Sequence, residues 1–213
     1  MAVITISREV GSSGTEIGHR LARALNYAFV DKEKIGQVLK QYGLLKLHEV
    51  YEKEPSLWSQ FDSENKQHIR MLNRTILAFA KQDNTVILGR GGFVLLHHYH
   101  NVLNIRIQAP IPHRIQHIMK KETIRGAAEA ETFIRERDHI RRSFLQTFYD
   151  VKWEDTSSLN LIIDTSRIPI DMAVKWILEV TRDLEARAFD PKITTQSIEI
   201  DEVLARTIAQ TQD

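Results

Sequence analysis

The first twenty-five residues contain the feature that most constrains the fold of this chain. The run from Ala2 to Ile6 is apolar and β-branched, and a short loop containing Gly11 and Gly14 follows it. The loop leads into an amphipathic pattern whose apolar face is formed by Ile17, Leu21, Ala22 and Leu25. A strand, a tight loop and a helix in this order can hold phosphate, because loop N–H groups and the positive helix end face the same anion.

The loop departs from the usual phosphate-binding sequence, in which a glycine, four residues, a second glycine, a lysine and a hydroxyl residue follow one another. If Thr15 takes the hydroxyl position, Arg8 and Ser13 stand at the glycine positions and Gly14 stands at the lysine position. The candidate phosphate-binding residues are Ser7, Gly11, Ser12, Ser13, Gly14 and Thr15. An alternative is that this turn only packs the first helix against the first strand.

Composition limits the class of protein. The chain has 213 residues, of which 42% are hydrophobic and 27% charged, so we expect one globular domain. No apolar run approaches the ~20 residues that span a bilayer. No basic region precedes a long apolar segment at the start, so we expect a cytoplasmic protein without membrane contact.

Charge and cysteine usage exclude further classes. The absence of cysteine excludes disulfides and thiolate zinc sites. The formal charge of +1 provides no overall field for nucleic acid, so anion binding must come from local clusters. We leave open whether the chain forms a homo-oligomer.

Strand-like runs alternate with helical patterns through most of the chain. The later strand candidates are residues 27–30, 85–88, 102–107 and 159–164. The later helix candidates are residues 32–41, which Asp31 caps, 63–82, a segment opened by Pro110 or Pro112, 127–149 and 170–188. This alternation predicts an α/β fold, with a parallel β-sheet flanked by helices on both faces.

Two segments do not follow this alternation. Residues 43–61 have an irregular pattern, and the tail from Asp190 onward is polar. We interpret residues 198–208 as a short strand followed by a helix, or as a segment that a partner orders.

A second glycine loop, Gly89-Arg90-Gly91-Gly92, follows the strand at 85–88. Ligands of open parallel sheets bind at the carboxyl ends of the strands, where both glycine loops would lie. The guanidinium of Arg90 suits bidentate contact with phosphate. The alternative is an ordinary surface arginine in a turn.

A helix rich in both signs of charge carries the third candidate group. Arg137 and Arg141 lie four residues apart, on one face, and can converge on an anion if the helix folds over a cleft. The alternative is a solvated helix with ion pairs. We expect a nearby group of histidines to be exposed and not to bind metal: His97, His98 and His100.

Taken in order, these segments resemble the cytidylate kinase-like family, a part of the nucleoside monophosphate kinase group with the P-loop NTPase fold. The matching pieces are Ile4 to Ile17, Phe29 to Lys32, Val86 to Gly91, Ile105 to Pro110, Asp138 to Arg141, Trp153 and Leu161 to Ser166. The resemblance implies a P-loop kinase-like domain over residues 1–188, with a monophosphate-binding insertion near 40–82 and a lid near 120–150. Residues 189–213 would form a tail.

The resemblance also implies roles and cofactors. Residues Ser7 to Thr15 would bind the phosphates of ATP, and the hydroxyl of Thr15 would face Mg²⁺. Asp31 and Arg90 would bind the acceptor. The chain departs from typical members at Gly14, in place of the loop lysine, and at Gly91, in place of an acidic residue.

The missing lysine leaves two hypotheses open. In the first, the chain is a kinase that phosphorylates a nucleoside monophosphate or a related small acceptor, and Arg8, Arg137 or Arg141 supplies the missing charge. In the second, it binds nucleotide or phosphate without transferring a phosphoryl group and acts through a partner.

Overall fold

The computed structural model describes residues 1–42 and 63–211, with side chains from residue 65 in the second range. Its strands are β1 (Val3–Arg8), β2 (Ala28–Val30), β3 (Thr85–Leu88), β4 (Val102–Gln108) and β5 (Leu161–Asp164). Its helices are α1 (Gly14–Leu25), α2 (Lys32–Gln41), α3 (Ser63–Lys81), α4 (Gly92–Leu96), α5 (Ile111–Lys121), α6 (Ala127–Tyr149), α7 (Ile170–Ala186) and α8 (Glu202–Gln210). The irregular segment predicted at 43–61 lies outside the described residues.

All strand pairs in the sheet are parallel, and the strand order is β2-β3-β1-β4-β5. The central strand β1 pairs with both β3 and β4, so that Ile6 lies beside Leu88 and Ile105. The loops that follow β1 and β3 therefore leave the same edge of the sheet, as predicted. The α/β fold class predicted from the alternating pattern is confirmed.

Helices cover both faces of the sheet because alternate residues of each strand point to opposite faces. Ile4 and Ile6 lie in one buried cluster with apolar residues of α1 and α7. Val3 and Ile87 lie in a second cluster with apolar residues of α2, α3, α4, α6 and α8. Each of these helices, within the described ranges, is too short or too polar to span a bilayer.

The helix boundaries largely follow the sequence patterns. The helices predicted at 32–41 and 127–149 match α2 and α6. Asp31 caps α2, because its carboxylate accepts hydrogen bonds from the backbone N–H groups of Glu33 and Lys34 at 2.9 and 3.0 Å. The strand predicted at 159–164 begins later, at Leu161.

The tail differs from the prediction, because its described part contains two 3₁₀ turns (Pro191–Ile193 and Thr195–Ser197) and α8, and no strand. The buried side chain of Thr195 donates to Asp83 at 2.7 Å and accepts from Asn101 at 2.7 Å. Leu204 and Ile208 are fully buried in the cluster that contains the inner faces of α2 and α3. Contacts within this chain thus order the tail.

Candidate active site

The loop between β1 and α1 has a fixed, strongly curved backbone. Gly11 and Ser13 both have positive φ angles, of 78° and 63°. The hydroxyl of Ser12 donates to the carbonyl oxygens of Glu9 and Ile107, at 2.9 and 3.0 Å. The hydroxyl of Thr165 donates to the carbonyl of Ser12 at 3.0 Å. These bonds hold the loop against β4 and against the end of β5.

The start of α1 is suited to an anion. Ser13 is the N-cap residue, and within the described residues its side chain makes no capping hydrogen bond. The first N–H groups of a helix need an acceptor, which a capping side chain or a bound anion can provide. Asp31 provides that acceptor at α2, whereas the N-cap side chain of α1 does not provide it. Thr15 lies exposed in the first turn of α1.

The side chain of Arg8 runs between the two glycine loops. A Cβ atom added to Gly14 would lie 2.6 Å from the Cβ of Arg8, which excludes any larger side chain there in this conformation. A Cβ atom added to Gly89, whose φ is 76°, would lie 2.2 Å from Nη1 of Arg8. Arg8 thus fills the space beside Gly14, the residue that stands where a lysine is usual.

Three arginines lie close together at this edge of the sheet. Burial lowers the pKa of Arg8 well below its ordinary value, and the nearby cations Arg141 and Arg90 lower it further. Asp31 and Asp138 act in the opposite direction. The Nε atom of Arg8 is buried and has no hydrogen-bond partner within the described residues. Mutually repelling, partly desolvated cations of this kind favour an anionic ligand.

A cavity of about 210 Å³ lies between the ends of β1 and β3 and the second half of α6. Its lining contains five basic side chains and, within the described residues, no carboxylate. The lining residues are Ser7, Arg8, Lys32, Gly89, Arg90, Gly91, Phe93, Arg137, Ile140, Arg141, Phe144, Leu145 and Trp153. The cavity therefore offers positive charge together with an apolar and aromatic wall, which suits an anionic ligand with an apolar or ring portion.

A buried arginine supports the aromatic wall. The guanidinium of Arg106 lies 4.6 Å from the ring centroid of Trp153, and it donates to the backbone carbonyl of the same residue. Only 3% of Arg106 is exposed, and burial lowers its pKa. Arg106 therefore fixes the ring of Trp153 in the wall.

Gly91, which stands where typical cytidylate kinases carry an acidic residue, has a packing role. A Cβ atom added to it would lie 2.6 Å from the ring of Tyr149, and its φ of 74° favours glycine. The Tyr149 hydroxyl donates to Asn73 at 2.7 Å. The end of α6 therefore packs directly on the loop after β3 and beside α3.

The structure brings together some of the predicted site residues and not others. Ser7 and four arginines line the cavity: Arg8, Arg90, Arg137 and Arg141. The loop residues Gly11 to Thr15 lie outside its lining. Asp31 also lies outside the lining, and its carboxylate caps α2 while raising the pKa of Arg8. The histidines at 97, 98 and 100 are exposed, as expected, and no metal-binding group occurs within the described residues.

Sequence reasoning missed a group of ionic contacts behind the loop. Arg114 forms ion pairs with both Glu9 and Asp138, and all three side chains are buried or nearly so. Arg114 gave no sequence signal, since it lies on an ordinary amphipathic helix. Glu9 and Asp138 fall within segments that matched the family. The only available signal was Glu9 itself, because a carboxylate inside a phosphate loop requires a cationic partner.

Comparisons with known proteins identify relatives of this chain by sequence. The model of the cytidylate kinase-like family matches residues 3–167. A cytidylate kinase of Saccharolobus islandicus is 27% identical over 180 residues, covering 83% of this chain and 88% of that protein. A cytidylate kinase of Pyrobaculum islandicum is 25% identical over 183 residues, covering 84% and 92% of the two chains.

The fold also occurs in a solved structure. An uncharacterized protein from Eubacterium ventriosum superposes with a TM-score of 0.67 at 19% identity, covering 88% of this chain and 100% of that one. Its likeness concerns the fold alone. Because the family match spans the sheet, both glycine loops and the basic helix, the chain belongs to the cytidylate kinase-like family.

Proposed function

We propose that this chain transfers a phosphoryl group from ATP to a nucleoside monophosphate or a related small acceptor. The observation that carries the proposal is the convergence of Arg8, Arg90 and Arg141 on one cavity beside the phosphate loop. Phosphoryl transfer needs little beyond correct positioning and cations around the transferred group. The cavity would supply the cations, because its charged lining is entirely basic among the described residues.

The site residues fall into two groups, one that would bind ATP and one that would bind the acceptor. The loop from Ser7 to Thr15 and the uncapped start of α1 would bind the phosphates of ATP, and Thr15 would face Mg²⁺. The chemistry supplied by bound Mg²⁺ would be positive charge, which neutralises the charge that develops on the donor phosphates. Arg90 and Asp31, at the ends of β3 and β2, would face the acceptor.

Arg8 takes the place of the loop lysine in this proposal. Its stem lies against Gly14, and its guanidinium reaches the loop after β3, between the donor and acceptor sides. Arg137 and Arg141 add charge from α6. A fixed arginine can stabilise the transferred phosphoryl group in the same electrostatic manner as lysine, although with a broader, planar head group.

A second candidate function is nucleotide or phosphate binding without transfer, through which the chain would act on a partner. The contact between Gly14 and the stem of Arg8 favours it, because this loop cannot accept a lysine without moving Arg8. Under this alternative the basic cavity would bind the anion but no diphosphate product would form.

Incubation with ATP, Mg²⁺ and a panel of monophosphates tests the proposal, with formation of ADP and a diphosphate as the readout. Cytidylate is the first acceptor to test, since the curated relatives are named cytidylate kinases. We expect turnover with at least one acceptor and a large loss in the Arg8→Ala variant. Nucleotide binding without turnover by any member of the panel would favour the second candidate.

A further inference from the structure

A buried carboxylate on α6 contacts the phosphate loop directly. Asp138 is 5% exposed, and its Oδ1 atom accepts a hydrogen bond from the backbone N–H of Val10 at 2.9 Å. Its Oδ2 atom accepts from Nη1 of Arg114 at 2.5 Å. A charged group at this depth is stable only when charges and hydrogen bonds compensate it, as they do here.

Arg114 joins the same carboxylate to the other side of the loop. Its Nη1 atom also donates to the carbonyl of Val10 at 3.2 Å, and its Nε atom lies 3.6 Å from the carboxylate of Glu9. Glu9 in turn accepts from the backbone N–H of Ala109 at 3.1 Å. Both backbone groups of Val10 are thus bound by the ion pair between α5 and α6.

The same carboxylate also orients a cavity arginine. Nη1 of Arg141 lies 3.4 Å from Oδ1 of Asp138 and donates to the carbonyl of Arg8 at 3.3 Å. Burial lowers the pKa of Arg141, and the negative charge of Asp138 acts against that effect. Without that charge, Arg141 would face the cations Arg8, Arg90, Arg114 and Arg137 with less compensation.

We propose that Asp138 is a positioning residue, which docks α6 on the phosphate loop and aims Arg141 at the transferred phosphoryl group. The proposal rests on the proposed function in one respect, namely that Arg141 stabilises a phosphoryl group. The docking itself exists without ligand. The contact between Tyr149 and Gly91 holds the other end of the same segment, so the part of α6 after Asp138 is bound at both ends.

Much of the predicted lid is thus docked without ligand. Asp138 contacts the phosphate loop and Tyr149 contacts the loop after β3, while the first turns of α6 pack on α5 and on Val10 through a small separate apolar cluster. Both cavity arginines of this helix, Arg137 and Arg141, already line the cavity.

The test compares Asp138→Asn with wild type by amide hydrogen exchange in the absence of ligand. Asparagine can still accept a hydrogen bond from Val10 but carries no charge for Arg114 and Arg141. We expect exchange at Val10 and along residues 138–145 to become at least tenfold faster. The control is Glu131→Gln, which breaks an exposed ion pair with Arg135 on the same helix and should leave exchange at Val10 unchanged.

Kinetics separate positioning from a general loss of structure. With the acceptor that wild type turns over, Asp138→Asn should lower kcat more than tenfold and change either KM less than threefold, with near-UV circular dichroism retained. If the Asn variant does not fold, Arg141→Lys serves instead, because lysine keeps the charge but cannot contact Asp138 and the Arg8 carbonyl in the same way. It should lower kcat by a similar factor and speed exchange along residues 138–145.

Different results would overturn the positioning role of Asp138 and the proposed kinase function. Unchanged exchange at Val10 and along residues 138–145 in Asp138→Asn would overturn the docking role, even if the wild type is an active kinase. Faster exchange with unchanged kcat would overturn the role in aiming Arg141. Absence of turnover in wild type, with faster exchange in the variant, would remove the proposed function and the phosphoryl role of Arg141 but retain the docking role.

Discussion

The guanidinium of Arg8 occupies the space into which a side chain on Gly89 would project. The distance from Nη1 of Arg8 to an ideal Cβ at Gly89 is 2.2 Å, far below ordinary van der Waals contact. The two residues lie at the ends of adjacent strands, β1 and β3. Glycine at this position is therefore needed for the observed position of the arginine as well as for the turn.

Gly89→Ala should displace Arg8 from the cavity. We expect a loss of more than tenfold in kcat, or about 1.4 kcal/mol in transition-state stabilisation, measured in a coupled assay for ADP. The variant should also lose about 1 kcal/mol of stability, because alanine is strained at a positive φ. Gly36→Ala is the control, since a Cβ there meets nothing within 4 Å. Unchanged kcat in Gly89→Ala would show that Arg8 has no role in transfer.

Gly14→Lys restores the usual lysine in the sequence, but we expect it to raise neither nucleotide binding nor kcat. The added Cβ would stand 2.6 Å from that of Arg8, so that the lysine must displace the stem of the arginine or distort the loop. We expect a smaller thermal shift on addition of ATP and Mg²⁺ than in wild type, and the same loss in Gly14→Val. A retained shift together with higher kcat would mean that Arg8 does not substitute for the lysine.

Arg90→Ala should act on the acceptor side. The residue follows β3 and lines the cavity, whereas Gly11 to Thr15 of the loop that would bind ATP lie outside its lining. We therefore expect the acceptor KM to rise at least tenfold while the KM for ATP changes less than threefold, in initial-rate measurements with each substrate varied. Equal increases in both constants would contradict the assignment of Arg90 to the acceptor.

Arg137→Ala and Arg141→Ala should each lower kcat more than tenfold, because both arginines line the cavity. Arg135→Ala is a matched control on the same helix, since Arg135 is exposed and pairs with Glu131. Thermal unfolding should show little change in Arg137→Ala, whose side chain is exposed. If Arg137→Ala and Arg141→Ala keep the wild-type rate, as Arg135→Ala should, these two arginines have no role in transfer.

Stability should depend on His117 in mild acid. Burial lowers the pKa of His117, and the neighbouring Lys121 lowers it further. The unfolded chain then binds the proton more readily, so the free energy of unfolding falls as the pH drops below about 6.5. His117→Gln should unfold with a shallower pH dependence between pH 7 and 5 in urea titrations, whereas His100→Gln, at an exposed position, should not. An identical slope in wild type and His117→Gln would contradict this prediction.

The sequence specified the layers of the fold because each layer has a local signal. Strand β1 and helix α1 follow from apolar periodicity, and α2 begins where Asp31 offers a capping carboxylate. The position of the glycine loops follows from the rule that parallel strands end at one edge of the sheet. Each of these inferences uses only residues that lie close together in the sequence.

The site was predicted less completely because its geometry depends on distant pairs. The sequence indicated that Arg8, Arg90 and Arg141 could meet, but not that the stem of Arg8 lies against Gly14. The partners of Asp138 come from two other elements, and no spacing within α6 identifies them. For the tail, the alternating apolar residues Ile198 and Ile200 left a short strand before the helix as one interpretation, but both pack in the buried cluster that includes residues of α3, and the described part of the tail contains no strand.

The position of α8 has a consequence for the order in which the chain acquires its structure. Leu204 and Ile208 complete the cluster that also holds Val38 and Leu72. During synthesis, this cluster can therefore be completed only after residues beyond 200 have left the ribosome. The opposite face of the sheet, which carries Ile4 and Ile6, can be covered earlier, by α1 and α7. The face that packs against α2 and α3 is thus the last part of the nascent chain to become compact, and chaperones would find it exposed for the longest time.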